Sequence, residues 1–211
     1  MPANTVSDAV NRKLALAITK LDSVQTVYTL YDAGRFREHI KKLPPSKLKN
    51  LEENPDLAST VIAMIGVIIP DGGTQYDIPE VIGSAAEKGY GPLMYDIVMA
   101  YEGGLVPDRG SVSSSAKKVW THYKNDRSDV KTKPLDDKND PKTPEKFDDS
   151  GVHPGGDENP LNYAYMTNKS PNAEGLVSNH KAIEDMLKSN GIEVDFIELG
   201  VEYFHSRYHS E

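Results

Sequence analysis

The residues best suited to chemistry lie together in the run Ala86-Glu87-Lys88-Gly89-Tyr90-Gly91-Pro92. Two glycines one residue apart leave backbone N–H groups unshielded, and the proline after them suits the first turn of a helix. The stretch Tyr76 to Ile82 before the run reads as a strand. Helix N-termini gather N–H donors and a partial positive charge. A glycine turn at such a terminus is therefore a natural seat for a phosphate or pyrophosphate. The plain alternative is a structural turn, which Gly-x-Gly supplies in many chains.

The surroundings favour the anion seat. Pro92 to Tyr101 reads as a helix, Gly103-Gly104 ends it, and Gly104 to Pro107 reads as a short strand. A right-handed strand–helix–strand unit would make Val81 and Leu105 parallel neighbours. Asp108 and Arg109 follow the short strand, on the rim where sites collect at strand C-terminal ends. They read equally well as a local ion pair that organises a turn.

Other chemistries find less support. The chain has no cysteine, which excludes disulfides, thiolate nucleophiles and cysteine zinc sites. Its six histidines (His39, His122, His153, His180, His205 and His209) show no three-ligand metal spacing. His205 and His209 are four apart, but at a chain end, where a solvated pair is expected. The acidic run Asp136-Asp137-Lys138-Asn139-Asp140 lacks the glycine and terminal glutamate of an EF-hand loop and reads as solvated. Ser113-Ser114-Ser115 reads as a helix cap, not a nucleophile elbow. Tyr163, Tyr165 and Trp120 read as core, because few basic residues accompany them as a base-stacking platform would require.

The elements that must position the glycine turn follow from hydrophobic spacing. Ser7 to Leu30 is predicted helical from the stripe Val10, Leu14, Ala17, Ile18 and Leu21, with Val24 to Tyr31 open between helix and strand. Arg35 to Leu43 and Ser46 to Glu53 read as helices, each stopped by proline. Thr60 to Ile69 is a β-branched strand bounded by the Pro70-Asp71-Gly72-Gly73 turn, and pairs with Tyr76 to Ile82 as a hairpin. A helix capped at Val112 or Ser113 runs to Tyr123. Asn125 to Asn159 is too polar to order itself and reads as a loop. Leu161 to Met166 is expected to dock as a strand, and Asn179 to Asn190 and Val194 to Tyr208 as helices. The expected architecture is an α/β domain on a mixed sheet, with residues 1–125 as core and 126–211 as a polar loop and helical extension packed on it.

The totals narrow the partners. The 211 residues carry a formal net charge of −8, which argues against an extended nucleic-acid surface. No apolar run approaches the roughly 20 residues that span a bilayer, and the N-terminus lacks the pattern of a signal peptide. A soluble intracellular protein is expected.

Residues 60–125 resemble the core of the GCN5-related N-acetyltransferases, the GNAT fold. In that family a strand runs into an Arg/Gln-x-x-Gly-x-Gly/Ala loop whose amides hold the coenzyme A pyrophosphate. Gly89 and Gly91 match the glycine places, while Ala86 stands at the basic or amide place and Lys88 lies nearby. The resemblance implies acetyl-CoA as cofactor, bound at Lys88, Gly89, Tyr90 and Gly91, and acyl transfer to an amine. It implies Glu80 as the general base, with a solvated strand-edge glutamate as the alternative. The family's Ala-x-x-Leu-Tyr helix corresponds to Ala116-Lys117-Lys118-Val119-Trp120, so Trp120 stands at the place of the acid tyrosine. Tyr123, one turn on, is the candidate acid in its stead. The wider pattern, through GGLVPDRGSVSSSAKKVW and PLNYAY, looks like a GNAT-like group in tailed bacteriophages. That implies a viral protein in the infected host's cytoplasm or in the virion, acting on an unknown amine or protein acceptor. The alternative is a non-catalytic structural or interaction protein that keeps the fold and contacts virion or host proteins.

Overall fold

The molecule is organised around an antiparallel meander of four strands: β1 (Leu14–Lys20), β2 (Gln25–Asp32), β3 (Val61–Ile68) and β4 (Glu80–Ala86), adjacent in that order. The computed structural model describes residues 5–48, 51–69, 76–135, 153–167 and 173–208. The turn expected at Pro70 to Gly73, the acidic run Asp136 to Asp140 and His209 lie outside these. Helices cover both sheet faces, giving a mixed α+β architecture.

The N-terminal expectation is corrected. Only α1 (Val6–Asn11) is helical there, capped by the Thr5 hydroxyl accepting from the Asp8 N–H, and the chain turns at Lys13 (φ 58°) into β1. The apolar spacing misleads because β1 is buried on both faces. Leu14 and Leu16 enter one core and Ala15 and Ala17 the other, so the period of two leaves no polar trace. Asp22 closes the β1–β2 turn by accepting from the Val24 and Gln25 amides at 2.7 Å each.

On one face, α4 (Gly91–Glu102) and α5 (Ser114–Asp126) pack with Leu16, Leu30, Ile65 and Val81. On the other, α2 (Ala33–Lys42), α3 (Pro55–Ala58), α6 (Glu174–Ser189) and α7 (Phe196–Tyr208) enclose Ala17, Tyr31 and Val61. The helix expected over Ser46 to Glu53 is two single 3-10 turns, Pro45–Lys47 and Leu51–Glu53. Helix α6 crosses the edge of β1, where the Asn179 side-chain amide donates to the Leu14 carbonyl at 2.8 Å.

The hairpin strand expected at Tyr76 to Ile82 is present but shifted to Glu80–Ala86. Asp77 turns at φ 56° before it. Gly66 pairs with Gly83 and Val67 with Val81, so Ile82 is an extra residue, a bulge that bends β4.

A second sheet continues the first. β5 (Val130–Pro134) and β6 (Tyr163–Thr167) are antiparallel, and both come from the stretch expected to be extension. Leu105 and Tyr165 exchange hydrogen bonds of 2.8 and 2.9 Å, while Val106 bridges β4 in parallel at Glu80. The short strand expected at Gly104 to Pro107 is thus reduced to bridge residues, with the parallel pair one residue away from Val81 and Leu105. Gly104 admits no side chain there, since a Cβ would lie 2.9 Å from the Tyr165 carbonyl oxygen. Among the described residues, no helix is long and apolar enough to cross a membrane.

Candidate functional site

The cleft arises where β4 loses a neighbour. Along one edge β4 pairs with β3 over its length. Along the other, among the described residues, it is held only at its start, where the Val81 N–H donates to the Val106 carbonyl and the Val106 N–H to that of Pro79, both at 2.9 Å. Beyond that point the edge from Gly83 to Ala86 borders the cleft. The first turns of α4 and α5 flank the gap.

Two adjoining chambers occupy it. The larger, about 750 Å³, is lined by Ala86, Glu87, Gly89, Gly91, Met94 and Val119 among others. The smaller, about 250 Å³, is lined by Ile82, Asp108, Val112 and Trp120 among others. Ser84, Tyr95, Ser113 and Ala116 border both.

The glycine turn forms the outer wall of the larger chamber. The Glu87 N–H donates to the Ile62 carbonyl (2.7 Å), and the Tyr90 N–H folds back to the Glu87 carbonyl (3.0 Å). Gly89 takes φ 89°, a conformation glycine reaches without strain. Helix α4 then starts with no side-chain cap. Among the described residues, the N–H groups of Lys88, Gly89, Gly91 and Leu93 have no acceptor in the protein. A Cβ on Gly91 would meet nothing within 4 Å, so the space over the helix start is open. Three of the four expected loop residues therefore present donors. Tyr90 differs: its amide is used in the turn and its ring is buried, with the Arg12 guanidinium 6.0 Å from the ring centre.

Glu80 sits at the closed end of the gap and lines neither chamber. Its Oε1 accepts the Arg109 N–H at 2.7 Å. Burial, seconded by the nearby Asp108 charge, holds its carboxyl above the usual range, against the pull of the Arg109 N–H. Asp108 does line the smaller chamber. Its Oδ1 accepts from the Gly110 and Ser111 amides at 2.6 and 3.0 Å. Arg109 Nη1 donates to the Leu161 carbonyl at 2.6 Å, and His153 Nε2 lies 2.7 Å from the Asp108 carbonyl.

Tyr123 is fully buried and lines neither chamber. Its hydroxyl donates toward Asp96 Oδ1 (2.8 Å) and the Pro92 carbonyl (3.0 Å), tying α5 to the start of α4. Burial, then the Asp96 charge, pushes its ionisation well above the ordinary tyrosine value. Trp120, also buried, stands edge-on to Tyr95 with ring centres 4.9 Å apart.

The residues that sequence reasoning missed are Tyr95 and Ser84. Tyr95 lies four residues beyond Gly91, hence on the helix face that carries the glycine turn. Ser84 lies two residues before Ala86, on the same side of β4. Those offsets are the only sequence signal for the pair. From the extension, the Tyr203 hydroxyl of α7 donates to the Glu87 carboxylate beside the turn.

In comparisons with known proteins, no family model, no curated protein and no solved structure matches the chain.

Proposed function

We propose that this cleft binds an acyl-coenzyme A, most simply acetyl-CoA, and that the protein is a divergent GNAT-like N-acyltransferase. The observation that carries the reading is the open edge of β4 leading to a helix start with unpaired amides. An extended ligand arm bearing amides adds to such an edge as a strand would. Its phosphates then reach the N–H groups of Lys88, Gly89 and Gly91. The strand order supports the same reading, since the four-strand meander joins β6 and β5 only through the Leu105–Val106 crossing.

The chemistry is direct transfer. The amine lone pair attacks the thioester carbonyl carbon, a C–N bond forms, and the C–S bond breaks with its electron pair left on sulfur. The proton released from nitrogen passes to a carboxylate, and water protonates the sulfur. Glu80 is the base in this reading. Burial makes its carboxylate a better proton acceptor than an exposed glutamate, and it acts from behind the rim, through Asp108 or water. Holding both reactants in one cleft supplies most of the rate.

A second reading keeps the fold and drops catalysis, leaving a phage protein that contacts virion or host proteins. The engagement of Glu80 and Tyr123 away from both chambers favours it. Thermal unfolding with acetyl-CoA separates the two. Ligand at 100 times its Kd adds about 2.7 kcal/mol of stability. No shift at millimolar coenzyme leaves the interaction protein as the reading. In either case the expected setting is the infected cell's cytoplasm or the particle.

A further inference from the structure

We infer that the smaller chamber takes a small monoamine with an apolar or aromatic body, its ammonium group on Asp108, and not a polycation or a protein tail. The inference rests on the acyl-transfer reading above. Size sets the first limit. The chamber holds roughly 250 Å³. That admits one ring or a short branched chain.

Charge sets the second limit. Among the described residues, Asp108 is the only charged side chain in the lining. Its Oδ1 is fixed by two backbone amides, and its Oδ2 has no protein donor among the described residues. The carboxylate is thus pre-oriented with one oxygen open to a ligand cation. A second ammonium in the chamber would lose water with no second carboxylate to offset its charge.

The apolar wall gives the third limit. Val81, Val112, Trp120 and the Tyr95 ring form a surface suited to hydrocarbon. Ser84, Ser111 and Ser113 add neutral hydroxyls that tolerate a ligand hydroxyl without demanding charge.

The test is calorimetric titration of the protein saturated with coenzyme A. Benzylamine and isobutylamine serve as monoamines, spermidine as polycation and a short unblocked peptide as protein tail. The monoamines should bind tightest. Asp108→Asn keeps the Oδ1 acceptor for the turn and should weaken them about tenfold or more. Val112→Trp fills the chamber from its rim and should abolish amine binding while coenzyme binding persists. Tighter binding of spermidine or the peptide overturns the inference. So does an unchanged affinity in Asp108→Asn, or the absence of amine binding by coenzyme-loaded protein. Failure to bind coenzyme A at all overturns the cleft reading itself, and this inference with it.

Discussion

The Tyr95 hydroxyl lies 2.9 Å from the Ser84 hydroxyl, a bond between α4 and β4 at the place where the two chambers meet. Either oxygen can donate. When Ser84 donates, the tyrosine proton is free to point into the cleft. Burial raises the Tyr95 pKa, with the Asp108 charge adding and the Ser84 bond opposing. The group therefore remains a donor well into alkaline solution. A donor at the junction stabilises a thiolate, which lowers the pKa of a bound thiol. Free coenzyme A bound to the wild type should show its thiol pKa depressed by about one unit, the worth of one hydrogen bond to a charged group. Tyr95→Phe should return it to the free value with little change in Kd. The ultraviolet absorbance of the thiolate, followed against pH, reads this directly. Equal thiol pKa values in both proteins exclude Tyr95 from contact with the sulfur.

Gly91→Asp is the cleanest probe of the anion seat. The new Cβ enters open space, so the fold should lose little stability. The carboxylate then projects over the helix start, where it repels a phosphate and competes for the same amides. The coenzyme-dependent rise in Tm should vanish while the ligand-free Tm stays close to wild type. Gly89→Asp is less informative, because φ 89° strains any side chain and confounds binding with folding. A full coenzyme shift in Gly91→Asp removes the loop from the site.

The parts of this arrangement that were legible in the sequence carry local signals. Thr60 to Ile69 reads as a strand because β-branched residues cluster there, and Pro92 to Tyr101 as a helix because proline and glycine punctuate it. The glycine turn was legible because its backbone needs conformations that glycine allows. What stayed hidden depends on tertiary context. β1 has both faces buried, so it lacks a strand's alternation. β5 shows mostly exposed side chains (Lys131, Thr132, Lys133) and reads as loop. Its partner β6 follows some 30 residues later, a pairing no local window contains. On α4, the stripe Leu93, Ile97, Val98 and Tyr101 predicts an inward face, yet Tyr101 is 42% exposed, while Tyr95 is buried. Only the packing of Trp120 and the gap beside β4 decide which tyrosine meets the cleft.

Tyr123 should prove structural. Its hydroxyl joins α5 to Asp96 and the Pro92 carbonyl, and Arg127 Nη1 contacts Asp96 at 3.1 Å from the same side. Tyr123→Phe removes one donor and leaves the Asp96–Arg127 pair in place. The expected cost is about 1–2 kcal/mol of stability, measured by urea unfolding. Acetyl-CoA affinity and any acyl-transfer rate per folded molecule should be unchanged. A selective loss of kcat with stability intact would return Tyr123 to the chemistry.

Glu80 gives a pH signature independent of activity. Burial raises its folded pKa above the unfolded value of about 4.3, so folding favours the protonated carboxyl. That contribution is fully present below the unfolded pKa and is lost as pH rises through the folded pKa. Glu80→Gln has the same shape, retains the Oε1 acceptor for the Arg109 N–H and never ionises. The two proteins should therefore unfold at similar temperatures below about pH 4. From there the variant should become progressively the more stable as the wild-type carboxyl ionises, with the gap constant once titration is complete. Melting curves across that range test the sign. Parallel curves mean that the Arg109 N–H cancels burial, and a variant less stable at neutral pH means that it outweighs burial. Glu80 would then be an ordinary ionised turn anchor, and the base for acyl transfer would have to be sought in Asp108.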